Sequence, residues 1–252
     1  MGTDLKLKRG KLTTFKSDNC NLVLVGAGHA DFIKMTGQKI INAIGETPTH
    51  YDLYKTIEGV ILEVFSKHIR HYPVDGDQKP NFDLLIGAWT RDEGLEVFKT
   101  SGTAINYSGY CECLGWGAAL GGYLADKRYI PYILGEEECL GLAVYILRQA
   151  KDYVPYCGKE SSVHIMRSDG TCKSASSSKV VEQELYFDDF DETVNQIFMS
   201  GYLETDDQKF EESLKSFNER LRGMRTELKE KRDTKASLYS MFFGEPLPKS
   251  GG

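Results

Sequence analysis

Along the first two thirds of the chain, apolar positions switch between strand-like and helix-like spacing. Residues 22–25 form a continuous apolar run that enters Gly26, Ala27 and Gly28, the pattern of a buried strand ending in a turn. Before it, residues 11–16 read as a strand, joined through the polar stretch SDNCN, so the chain opens with a hairpin. A helix is expected from about His29 to Ile44 and Gly45, where glycine stops it. Thr49 is a candidate N-cap for a second helix reaching about Arg70, because Leu53, Ile57, Val60, Ile61, Val64 and Phe65 recur at helical spacing. NFDLLIGAW and LEVFKTSG, separated by TRDEG, predict a second hairpin. YCECLGWG predicts a short strand running into another glycine turn, followed by one helix through Tyr123 and another from about Glu136 to Tyr153. SSVHIMRSDG closes this part as a strand and turn.

The order is hairpin, two helices, hairpin, two helices, strand. Hairpins make antiparallel sheets, and paired helices between them cover one face of each sheet. The expected fold is therefore α+β, a four-layer αββα sandwich of two antiparallel sheets. A doubly wound parallel sheet would alternate single strands with single helices.

After Gly170 the pattern changes. SASSS is a polar break, and EQELYFDDFDE mixes carboxylates with aromatics, which predicts an edge segment or linker over residues 171–205. In residues 206–252, Phe210, Leu214, Phe217, Leu221, Met224 and Leu228 form a heptad stripe. It is too short for an isolated coiled coil and is expected to dock on the domain or on a neighbouring subunit. Met241, Phe242 and Phe243 add an apolar group suited to anchoring the tail in a groove. The division expected is thus 1–170, 171–205 and 206–252.

Composition narrows the functional classes. The 252 residues are 40% hydrophobic and 27% charged, with a net charge of -6, and no basic face with interleaved aromatics argues for nucleic acid. No apolar stretch has the length of a membrane span, and MGTDLKLKRGK has no apolar region behind its charges. Six cysteines without a CxxC pair fit neither a disulfide scaffold nor a zinc ribbon. The reading is cytoplasmic, with no cofactor. A dinucleotide turn at GAGHAD needs a third small residue where Asp31 stands. His68 and His71 lack neighbouring cysteine or carboxylate ligands and suit a helix C-terminus instead. Cys111 and Cys113 share one face of their expected strand, and Cys20 sits in a turn, none beside an activating base.

Taken in order, GKLTTF, LVLVGAGHAD, LLIGAW with LEVFKTSG, LGWGAALGGYLAD and LAVYILRQAKDYVPYCG resemble proteasome β-type subunits and their bacterial relatives, members of the N-terminal nucleophile hydrolases. The resemblance spans about residues 6–170 and implies the same sandwich of two antiparallel sheets between helical layers. It also implies a chemistry in which an N-terminal threonine hydroxyl attacks a peptide carbonyl while its own α-amine takes the proton. Lys11 matches the lysine whose charge favours the ionised nucleophile. The glycine turn matches the loop whose backbone N–H faces the oxyanion. Alignment by Asp31 favours Ala27 as that donor and alignment by the strand favours Gly26, so Gly26, Ala27 and Gly28 are candidates together.

The departures are equally specific. Such enzymes present the threonine and a supporting aspartate in an opening strand pair ahead of the lysine strand, and this chain has no such pair, so it reads as N-terminally incomplete. Thr3 follows Gly2 but lies only eight residues before Lys11, too close for two strands and a turn, and is a poor candidate nucleophile. Trp116 stands where a serine usually assists the amine, and its bulk is expected to crowd the site. A further family aspartate aligns with Val154, leaving Asp152 as a weak candidate two residues away. Two readings follow. One is a noncatalytic subunit that assembles with copies of itself or related subunits in a ring or stack. The other is a threonine-type endopeptidase of a self-compartmentalising protease, acting on peptide substrates, whose threonine strand is missing here.

Overall fold

The computed structural model describes residues 12–45, 48–73, 79–109, 111–129, 133–158, 160–203, 206–233 and 243. They divide between two compact units, Met1–Tyr123 with His164–Lys173, and Leu124–Val163 with Ser174–Gly252.

The first unit is built on a five-stranded antiparallel meander, β1 (Leu12–Lys16), β2 (Cys20–Gly28), β3 (Phe82–Thr90), β4 (Gly94–Ser101) and β5 (Ala104–Tyr107), hydrogen-bonded in chain order. Burial alternates strictly along β3. Phe82, Leu84, Ile86 and Ala88 face the core, together with Leu22 and Leu24 of β2 and Phe98 of β4. Two helices cover that face. α1 (Ala30–Ala43) buries Phe32, Ile33, Ile40 and Ile41, and α2 (His50–Val64) buries Leu53, Ile57, Val60, Ile61 and Val64, the helical spacings of one apolar stripe. Each such side chain, fully buried, contributes about 1.5–3 kcal/mol before the cost of ordering it. Thr49 and Asp52 close a reciprocal capping box at the start of α2, and a π-turn over Phe65–Ile69 ends it.

The opposite face of the sheet holds a small hairpin, β6 (His164–Met166) and β7 (Cys172–Ser174). Its turn is fixed by register partners on β2 and β3. Asn21 donates to the Gly170 carbonyl at 2.6 Å, and Trp89 Nε1 donates to the Ser168 carbonyl at 2.9 Å.

α3 (Ala118–Arg128) leads into the second unit, which contains α4 (Glu136–Tyr153), α5 (Ser177–Leu203) and α6 (Asp207–Asp233). α4 and α6 both pack on α5. The stripe Phe210, Leu214, Phe217, Leu221 and Met224 is the half-buried face of α6, and Arg220 donates to Gln196 of α5 at 2.8 Å. The heptad helix therefore docks on its own chain.

Three expectations are corrected. Cys111–Leu114 carry no regular element, Tyr110 lies outside the described residues, and the strand falls earlier, at β5. Gly26, Ala27 and Gly28 are the end of the nine-residue β2, paired with Leu84, Asp83 and Phe82, and are not a turn. Two glycines around an alanine suggested a loop, yet β3 supplies a full ladder beside them. The stretch expected as a linker contains the 27-residue α5. Its carboxylates Glu184, which is buried, and Asp188, which is partly buried, pair with Lys151 and Arg148 of α4. The expected α+β class is what the fold has, as a five-stranded antiparallel sheet and a two-stranded sheet with six α-helices among the described residues. Met241 and Phe242 lie outside the described residues.

Candidate functional site

The end of β2 is held by sterics that only glycine satisfies. Gly28 has φ +102°, and a Cβ there would stand 2.3 Å from the Asn81 carbonyl oxygen. A Cβ on Gly26 would meet the Ile33 side chain at 2.7 Å, so its absence lets α1 settle on the sheet. Ala27 lies beside the glycine turn at Gly115, because a Cβ on Gly115, with φ +84°, would lie 3.1 Å from its methyl group. Two glycine motifs of the sequence thus meet in space.

The direction of the backbone donors follows from the ladder. His29 N–H donates to the Asn81 carbonyl at 3.0 Å, and Arg91 N–H to the Asn19 carbonyl at 3.2 Å, which fixes the phase of the β2–β3 pairing. Successive N–H groups alternate between the two edges, so Ala27 points its N–H at Asp83 while Gly26 and Gly28 point theirs at the β1 edge. The last described pair on that edge is Leu12 with Val25. Lys11 and Thr3 lie outside the described residues. Trp116, expected to crowd a site, is 76% exposed. Cys20 is fully buried, and burial, with the Asp92 carboxylate, pushes its thiol up to about 11, which removes it as a nucleophile at neutral pH.

Asp152 belongs to the second unit, where its carboxylate pairs with Arg148 at 3.1 Å. It is one part of a polar array between α4 and α5. Lys151 meets both carboxylate oxygens of the buried Glu184, at 2.7 and 2.8 Å, and Ser161 donates to the same group at 2.6 Å. Arg148 also pairs with Asp188, and this hydrogen bond raises the affinity of its guanidinium for the proton. Gln149 and Tyr145 donate to Asp191, whose carboxyl is nonetheless pushed up by burial. Glu184, Asp188 and Asp191 stand four and three apart, one face of a helix. Sequence reading missed that spacing by taking the segment as a linker.

A second cluster was also missed. His50 Nε2 lies 2.7 Å from a Glu96 carboxylate oxygen and 3.5 Å from the Tyr107 hydroxyl, and its ring stacks on Phe98 and Tyr107. Its backbone N–H donates to Asp92 at 3.0 Å, which holds that carboxyl below its ordinary range. These residues come from α2, β4, β5 and the β3–β4 turn, and no local spacing announces the meeting.

Comparison with known proteins sets the fold. No family model matches the chain, and no curated protein does. Solved structures do. Anbu from Hyphomicrobium sp. strain MC1 is similar at a TM-score of 0.57 and 12% identity over 75% of this chain and 84% of that one. Anbu (ancestral beta-subunit) from Yersinia bercovieri is similar at 0.56 and 13%, again over 75% of this chain and 84% of that one. Membership of the proteasome β-subunit family, read from five motifs, is therefore corrected. At 11–13% identity the likeness is one of fold. The chain has a proteasome-like fold similar to that of Anbu.

Proposed function

We propose that this chain works as a noncatalytic assembly subunit, associating with copies of itself in the cytoplasm. One observation carries the reading. Although α5 is packed on one side by α4 and on another by α6, it leaves Leu185, Val194, Phe198, Met199 and Tyr202 exposed, with Phe198 at 66% and Tyr202 at 79%. Val194, Phe198 and Tyr202 follow one another four apart along one face of the helix, and an exposed apolar patch of this kind marks a protein interface. The parallel stack of Phe198 on Tyr202 offers the rigid aromatic contact that interfaces favour. Six thiols with no disulfide among them suit a reducing compartment. A four-layer sandwich is the architecture proposed for the assembled subunit, since the first unit already stacks helices on one sheet face and a second small sheet on the other.

The competing reading is a threonine-type endopeptidase. It draws on Lys11 and on the Gly26 and Gly28 N–H groups that share the β1 edge. Purified full-length protein assayed against short fluorogenic peptides separates the two. The assembly reading expects hydrolysis at the buffer rate, and turnover abolished by Lys11→Ala would replace it with the peptidase.

A further inference from the structure

We propose that the groove between α4 and α5 receives the basic flank of α6 from a second copy of this chain. The inference rests on the assembly reading and names its contact surface. The groove has a volume of about 630 Å³ and is lined by Asp152, Asp188, Asp191 and Glu192 against a single guanidinium, Arg148, with Tyr153 and Met199 among its walls. Its carboxylates outnumber its cation, so a docked cationic surface is attracted.

α6 carries such a surface. Lys215, Arg222, Arg225 and Lys229 are exposed and fall within one arc of the helix, at intervals of seven, three and four. Their span is about 21 Å at 1.5 Å per residue, against about 16 Å from Asp188 to Met199 along the groove. The α6 of the same copy does not present this flank to its own groove. Arg220 reaches Gln196, a groove residue, from one flank, and Arg222 stands about 200° further round the helix. The groove and the stripe are different surfaces of one chain, so the contact is head-to-tail and propagates until a ring closes or a filament grows.

The test uses full-length protein in sedimentation velocity, at low and high salt, with Glu192→Arg, Arg222→Glu and the double variant, each checked for native circular dichroism. Wild-type protein is expected to self-associate and to dissociate as salt rises. Each single reversal weakens association by about tenfold or more and the double variant recovers it. An equimolar mixture of the two single variants recovers it as well, because its two alternating contacts pair the intact groove with the intact stripe and the reversed groove with the reversed stripe. Association unchanged by either reversal overturns this surface while leaving the assembly reading in place. A wild-type monomer at both salt concentrations overturns both.

Discussion

Lys151 of α4 and Glu184 of α5 form a two-pronged ion pair, Nζ standing 2.7 and 2.8 Å from the two carboxylate oxygens, with Ser161 donating to the same group. Glu184 is buried. Removing one member of a buried pair leaves the other without its counter-charge, a cost of about 3–5 kcal/mol. Lys151→Ala should lower the unfolding free energy of the second unit, read from urea titration, by that margin, and Lys151→Met with Glu184→Leu should recover most of it.

Gly28 makes the opposite demand on side-chain space from Gly59. Alanine at Gly28 meets the Asn81 carbonyl and a left-handed φ, so Gly28→Ala should cost upwards of about 2 kcal/mol. Gly59 lies in α2, where an added methyl group would have nothing within 4 Å, and Gly59→Ala should stabilise by about 0.5–1 kcal/mol. Thermal melts of the two variants should therefore move in opposite directions.

Asp92 gives the stability a pH dependence of known sign. Its folded carboxyl titrates below the ordinary value, chiefly because the His50 N–H donates to it. A depressed carboxylate stabilises the fold above its unfolded value of about 4 and loses that contribution as pH falls through the folded one. Asp92→Asn should melt below wild type at pH 7, and the gap should narrow as pH falls through the folded value.

Cys20 should resist alkylation. Its thiol is fully buried and pushed up to about 11, whereas Cys111 is exposed. Peptide mapping after iodoacetamide treatment at pH of about 8 should find Cys111 modified in the native protein and Cys20 modified only in denaturant.

The elements of the first unit were legible because each carries a strong local period. The alternation in β3 and the stripes of α1 and α2 are consequences of facing one core. β5 was not legible, since Ala104–Tyr107 is a short edge strand that buries none of its residues. α5 was hidden for a different reason. Glu184 and Asp188 satisfy Lys151 and Arg148 on another helix, so polarity in the sequence signalled solvent where the fold uses it for packing. At the candidate site, the glycines were visible as glycines, but the direction of their N–H groups depends on the phase of the β2–β3 ladder, which no single strand encodes.

Native mass spectrometry of the full-length protein over a range of concentrations tests the assembly reading most directly. Complexes of two or more protomers are expected, growing in proportion as concentration rises. A single-protomer mass at every concentration would contradict that reading.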